Sequence, residues 1–273
     1  MSDRFALATS VVAIDGPDPD VGDDSRRRWS AAVHDGWDIG GNANGGYLLA
    51  IAGRAMAESV GAPPLTLTGH YLRPAPAGPC EVATTVVRSG RRLSTVAATL
   101  SMGGEATLQL LGTFGEQRPG GPSRTTLEPV ELAPFEECVV PPPPTDGLVP
   151  ELMNRIDLRM RPEDAGFRVG RPTGRPEVSG WFALGDGEEP DEIALLLAAD
   201  AFAPPVFNTD LPVGWVPTVE LTVHVLGVPA PGPLRCSFRS SIIEDGLMEE
   251  DGVMWDSAGS LVGTSRQLAL MPR

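Results

Sequence analysis

Residues 67–79 read LTGHYLRPAPAGP, and residues 221–233 read LTVHVLGVPAPGP. Leu67, Thr68, His70, Leu72, Gly78 and Pro79 recur as Leu221, Thr222, His224, Leu226, Gly232 and Pro233, all at the same offset of 154 (224 minus 70). Six identities in thirteen positions far exceed the roughly one expected by chance, so the chain is a duplication. A period this long corresponds to a whole small domain, so the expected object is a covalent pseudo-dimer with an internal two-fold interface. Where the halves differ, chemistry is to be sought.

The units can be traced outward from this segment. Residues 45–60, GGYLLAIAGRAMAESV, place Tyr47, Leu48, Ile51, Ala52, Ala55 and Met56 on one face and Arg54 and Glu58 on another, the period of an amphipathic helix. Short segments rich in Val, Thr and Leu follow at 65–72, 81–88, 93–100 and 106–114, separated by Gly, Pro or Ser, and read as four antiparallel strands. A leading strand at 29–37 completes the unit. The second half repeats the order, with strands at 178–184, 218–226, 234–243, 252–256 and 261–270 and a helix opening at Pro190-Asp191-Glu192 and closed by Pro204-Pro205. That helix fits the first only at an offset of 148, which puts about six inserted residues in the loop FNTDLPVGWV. The expected fold is α+β, with an N-terminal unit over 1–117, a proline-rich linker over 118–150 and a C-terminal unit over 151–273. The linker contains Pro141-Pro142-Pro143-Pro144, which suits polyproline II and supplies no strand donors.

Composition narrows the function. At 273 residues, 41% hydrophobic and 21% charged, the chain can bury two cores. A net charge of -15 disfavours nucleic acid and anionic membranes as partners, because phosphate recognition needs a basic face. No leader pattern or membrane-length apolar run is present, and the expected location is cytoplasmic. Cys80, Cys138 and Cys236 form no C-x-x-C pair and read as reduced structural thiols, and no metal is expected.

Nucleophile-elbow, P-loop and zinc-helix motifs are absent, and imidazole is limited to His34, His70 and His224. Gly40-Gly41-Asn42-Ala43-Asn44-Gly45-Gly46-Tyr47 delivers glycines and Asn caps to a helix start, where free N–H groups could polarise a carbonyl or simply form a tight turn. Arg88, Arg91 and Arg92 surround the hairpin Ser89-Gly90 and could seat phosphates or form a solvated tip, whereas the equivalent turn, Glu244-Asp245-Gly246, is acidic. Three polar residues of the second half lack counterparts: Asp200 aligns with Ala52, Thr218 with Pro64 and Gln267 with Thr113. Asp200 lies late in an apolar helix, where a carboxylate opposes the dipole and pays for burial. A carboxylate, a hydroxyl and an amide can activate water, with Asp200 as general base, Thr218 as bridge and Gln267 fixing the geometry.

At these residues the chain resembles the thioesterase II family of acyl-CoA thioesterases. The resemblance covers most of both halves: Gly40-Gly41 to Tyr47 looks like the family's helix start, His70-Tyr71-Leu72-Arg73-Pro74 like its following strand, and Asp200 in LAADAF, Thr218 in VPTVEL and Gln267 in GTSRQLALM like its catalytic set. The family implies a double hotdog fold, two tandem units each with a long helix wrapped by an antiparallel sheet. It also implies hydrolysis of acyl-CoA by activated water without cofactor. The substrate-binding residues expected from this reading are Gly45, Gly46, Tyr47, His70, Arg88, Arg91 and Arg92, with an acyl slot between helix and sheet, CoA phosphates at the three arginines and a homodimer as the assembly. The competing readings are a hotdog enoyl-CoA hydratase or dehydratase, whose G-D-x-N-P-x-H segment is missing here, and a non-catalytic acyl-CoA binding protein.

Overall fold

The computed structural model describes residues 4–14, 25–117, 124–142 and 150–271. Its first half runs α1 (Phe5–Ala8), β1 (Val12–Ala13), β2 (Arg26–Val33), β3 (Asp38–Ile39), β4 (Asn42–Ala43), α2 (Gly45–Val60), β5 (Pro64–Tyr71), β6 (Gly78–Arg88), β7 (Ser94–Met102) and β8 (Glu105–Phe114). The second half adds β9 (Ile156–Met160), β10 (Glu177–Leu184), α3 (Ala194–Ala198), β11 (Thr218–Val225), β12 (Leu234–Arg239), β13 (Ile243–Glu244), β14 (Leu247–Trp255) and β15 (Leu261–Leu270). Among the described residues, one antiparallel sheet carries the order β1-β2-β6-β7-β8-β5-β11-β15-β14-β12-β10-β9, with β13 beside β14. From β2 to β10 this order is a palindrome of equivalent strands centred on the β5–β11 seam.

The repeated segment forms that seam. Thr68 opposes Thr222, its own repeat equivalent, and their hydroxyls lie 2.8 Å apart. An internal two-fold axis therefore passes between them, so the duplicated strand is the contact that joins the copies.

The helix α2 begins and ends as its sequence dictates. The Asn44 side chain caps the Tyr47 N–H at 2.9 Å, and Gly61 at φ +61° closes the helix in the left-handed conformation. Between these caps Tyr47, Leu49, Ala50, Ile51, Ala52, Ala55 and Met56 are fully buried, each large one contributing about 2 kcal/mol. Burial on more than one face is possible because α2 lies on the sheet and is crossed by α3. A Cβ on Gly46 would stand 2.5 Å from the Leu196 carbonyl oxygen, and one on Gly53 would stand 2.9 Å from Leu196 Cδ1. Glycine permits the crossing.

Several expectations are corrected. The second helix is one turn, Ala194–Ala198, rather than the long helix expected. The chain leaves it through Pro204 and Pro205 into a 3-10 turn, Pro205–Asn208, whose buried Val206 and Phe207 supply the apolar cover that the later turns of α2 give the first half. Part of the expected insertion loop is therefore ordered core. The leading strand stops at Val33, the strand expected at 234–243 stops at Arg239, and β14 starts five residues before the expected 252. Of the four-proline run, Pro143 and Pro144 lie outside the described residues. The segment before it docks on the second half: Trp181 Nε1 donates to Ala133 O, Arg235 Nη1 donates to Val130 O, and Val139 bridges Met160. Cys80, Cys138 and Cys236 are buried and unpaired, as expected for structural thiols.

Candidate active site

The site is assembled where the start of α2 meets the end of α3. Asp200, just past α3, places Oδ2 3.0 Å from the Gly46 N–H and 2.9 Å from Asn44 Nδ2. The same Asn44 amide also donates to the Asp200 carbonyl at 2.6 Å, so one side chain caps α2 and holds the end of α3. Tyr71 closes the cluster, its hydroxyl donating to Gly45 O at 2.8 Å. Burial pushes the Asp200 carboxyl up to about 6, against the donors Gly46, Gly45 and Asn44, which favour the ionised form. The result is a carboxylate that is ionised at neutral pH and close to the acidity of an efficient base.

Thr218 and Gln267 meet on the inner face of the sheet, where Gln267 Nε2 donates to Thr218 Oγ1 at 2.7 Å. A bulge puts them there. Thr218 opposes Ala269 and Glu220 opposes Leu268, two steps on β11 for one on β15. Strict alternation from buried Leu221 would turn Thr218 outward, and the extra residue returns it to the face of Gln267 and Ala269. The bulge recurs in the first half, at Pro64 and Thr66 against Phe114 and Thr113. Thr218 thus does stand where the other copy has Pro64.

The counterpart assigned to Gln267 is corrected by one position. Val96 pairs with Gly112 and Glu250 pairs with Gln267, separated along the chain by 16 (112 minus 96) and 17 (267 minus 250) residues. The second hairpin is one residue longer, and Gln267 corresponds to Gly112 rather than Thr113.

The sequence reads Asn44 only as a helix cap and Tyr71 only as part of a strand motif, and two further members of this region are missed. Glu250, directly opposite Gln267, is only 8% exposed. Burial, then the charges of Asp200, Glu249 and Asp251, push its carboxyl well above the usual range. Across β14 and β15, Glu250 is the direct neighbour of the Thr218–Gln267 pair. Beside it, Ser240 is buried and its hydroxyl has no hydrogen-bond partner among the described residues. Both were hidden in polar runs that read as solvated, but strand alternation marks them: Met248, Glu250, Gly252 and Met254 form one inward set, and Leu234, Cys236, Phe238 and Ser240 another.

The other expected residues fall elsewhere. Gly45 and Gly46 are in the site, but the Gly46 N–H is given to Asp200 and the Tyr47 N–H to Asn44, so neither is left to polarise a carbonyl. Tyr47 is core: fully buried and stacked on Trp37 with centroids 5.0 Å apart, its hydroxyl donates to Ala8 O at 2.7 Å. His70 is exposed and opposes Glu220 on the outer sheet face. Arg88, Arg91 and Arg92 are exposed at the β6–β7 hairpin, whose β7 start pairs at Phe114 with the Pro64 end of β5. Asp200 lies at the Tyr71 end, seven residues or about 23 Å of extended strand away.

The two-fold twin of the site is also visible. A cleft of about 460 Å³ is lined by Pro64, Val225, Glu192 and Val228, with Pro64 in the place of Thr218 and Val225 in that of Tyr71 (225 minus 71 is again 154). The Thr218 hydroxyl and the Tyr71 phenol thus have no equivalent on that side of the axis.

Two helix-covered antiparallel half-sheets joined edge to edge define the hotdog class, doubled in one chain. Comparison with solved structures gives the same class: a thioesterase II candidate from Thermobifida fusca superposes with a TM-score of 0.84 at 31% identity, covering 99% of this chain and 98% of that one. A hot dog fold protein of unknown function from Alicyclobacillus acidocaldarius has a TM-score of 0.80 at 21% identity, covering 98% of both chains. An acyl-CoA thioesterase II from Mycobacterium marinum shares the fold, with a TM-score of 0.71 at 14% identity over 98% of both chains. In sequence, residues 33–115 match the acyl-CoA thioesterase N-terminal domain and residues 135–271 the acyl-CoA thioesterase C-terminal domain. The chain belongs to the acyl-CoA thioesterase family. An uncharacterized protein of Mycobacterium tuberculosis is 30% identical over 290 aligned positions, covering 98% of this chain and 99% of the relative.

Proposed function

We propose that the protein hydrolyses an acyl-CoA thioester to a free acid and CoA, with Asp200 as general base for water. The observation that carries this reading is the half-buried Asp200 carboxylate on which the Gly46 N–H and the Asn44 amide converge, in the same half of the chain as the Glu250 that faces Gln267. Because Thr218 Oγ1 accepts from Gln267, its own hydrogen is free for the water or the carbonyl oxygen. The second Nε2 hydrogen of Gln267 is available for the developing oxyanion. Water thus loses its proton to Asp200 as it attacks, and the tetrahedral intermediate expels the thiolate. Family membership and the thioesterase II candidate at 31% identity support the reaction class.

Hydration of an enoyl-CoA is disfavoured by the placement of imidazole: His34, His70 and His224 are all exposed, and none is bonded to Asp200. The reading includes a homodimer, which sedimentation would detect as twice 28.7 kDa, and a cytoplasmic setting. No helix among the described residues is long and apolar enough to cross a membrane.

The test is a panel of acyl-CoAs of increasing chain length with release of free thiol followed, alongside crotonyl-CoA with its conjugated absorbance followed. Thiol release with at least one chain length is expected. Loss of conjugation without thiol release would assign the protein to hydration, and tight binding without turnover would make it an acyl-CoA carrier.

A further inference from the structure

Thioester hydrolysis needs a proton delivered as well as one removed, because the departing sulfur carries away an electron pair. Neither Thr218 nor Gln267 is an acid, and Asp200 becomes one only after it has taken the proton from water. The inner face of the second half-sheet holds another acidic group. Leu221, Gln267 and Glu250 are in register across β11, β15 and β14. Ser240 continues the row after Arg239, which pairs with Asp251. Adjacent strands lie about 4.8 Å apart, so Glu250 is one strand from Gln267 and two from Leu221.

The surroundings of Glu250 differ from those of an acid recruited for stability. No hydrogen bond or ion pair engages its carboxyl among the described residues. Its strand neighbours Glu249 and Asp251 face the other side, where Arg266 takes both, at 3.3 Å and 2.7 Å. Arg239 is likewise on that side, opposite Asp251. The inward flanks, Gln267 and Ser240, are uncharged, and Asp200 is the charge that reaches Glu250 from the helical layer. Burial and the neighbouring charge favour the protonated form of Glu250, whereas the donors around Asp200 favour its ionised form, the split environment that separates an acid from a base.

Resting on the proposed hydrolysis, we propose that Glu250 is the general acid that protonates the departing thiolate. Asp200 takes a proton from water as its oxygen bonds to the carbonyl carbon. The C–S bond then breaks, its electron pair going to sulfur, and the Glu250 proton follows it to give the free thiol. Asp200 is left protonated and Glu250 ionised, and proton exchange through solvent resets the pair. The net reaction is thioester plus water to acid plus thiol.

Leaving-group dependence tests this. The wild type and Glu250→Gln are compared on one acyl group carried either by CoA, an alkyl thiol that needs its proton, or by 4-nitrothiophenol, whose thiolate departs unaided. The variant should lose at least tenfold in kcat on the CoA ester and less than threefold on the aryl ester. Equal losses on both esters, or no loss on the CoA ester, would overturn the assignment. If that variant does not fold, Glu250→Asp, which keeps the acid but shortens its reach, takes its place: a loss in kcat on the CoA ester at least threefold larger than on the aryl ester supports the assignment, and any smaller difference overturns it. Absence of thiol release from every ester by the wild type instead sinks the hydrolytic reading itself.

Discussion

Asp200 illustrates how one residue can be costly to the fold and useful to the chemistry. Its carboxyl moves from an ordinary 3.8 to about 6 on burial. The folded state therefore holds the proton more tightly than the unfolded chain, and the sign follows: stability rises as pH falls from above 6 toward 3.8, and the ionised form at neutral pH costs on the order of 3 kcal/mol. Asp200→Asn removes that cost, so its unfolding midpoint at pH 8 should be no lower than that of the wild type. Turnover should fall by about a hundredfold to ten-thousandfold, the contribution of a positioned base. In the wild type, kcat/KM should fall about tenfold per pH unit below about 6, as the base becomes protonated. Near-normal turnover of the Asn variant, or a flat profile through that range, would remove Asp200 from the mechanism. This residue was legible in the sequence because a lone carboxylate interrupts a run of Leu and Ala. Glu250 was not, because it is the middle member of Glu249-Glu250-Asp251, and only knowing which strand face is inward separates it from its solvated neighbours.

At the level of elements, α2 was legible to the residue and α3 was not, for reasons that lie in what ends each helix. Asn44 and Gly61 cap α2 locally, so sixteen residues follow from period and punctuation alone. The end of α3 is set by a partner: Asn44 takes the Asp200 carbonyl, and the following prolines turn the chain into the buried Pro205–Asn208 turn. No local pattern contains that information. The helix crossing makes a sharp claim about Gly46, whose added methyl would meet Leu196 O at 2.5 Å and Leu197 O at 2.9 Å. Both are backbone atoms that cannot rotate away. Gly46→Ala should therefore destabilise by about 3 kcal/mol in urea unfolding, despite alanine's better helix propensity. It should also displace the N–H that holds Asp200 and cut turnover even where the protein is folded. A variant as stable as the wild type would mean that the helices can separate at no cost, and the close approach would not be what fixes the carboxylate.

For the whole molecule, duplication explains why the site can exist at all. A bulge beside the β5–β11 seam occurs in both copies, but only the second opens it with a hydroxyl, Thr218 standing where the first has Pro64, and only the longer β14–β15 hairpin brings Gln267 into the register that Gly112 occupies in the first. Each copy contributes a part the other lacks: Asn44, Gly46 and Tyr71 come from the first, and Asp200, Thr218, Gln267 and Glu250 from the second. Such a site requires the halves to behave as one body, and the contacts are of that kind. Five residues of β5 pair with β11, α3 is pressed on α2 at two glycines, and Arg155 Nη2 reaches across to Asp35 O at 3.1 Å. Separating the halves would expose the edges of two sheets as well as the face of α2 that α3 covers, a penalty that unfolding either half alone would also incur. The halves should then melt together. Trp29 lies in the first half and Trp181 in the second, so variants retaining one or the other as sole tryptophan should give coincident urea transitions. Separated transitions would show that one copy survives without its twin, and a carboxylate held by the other copy's backbone could not be the device that readies it for water.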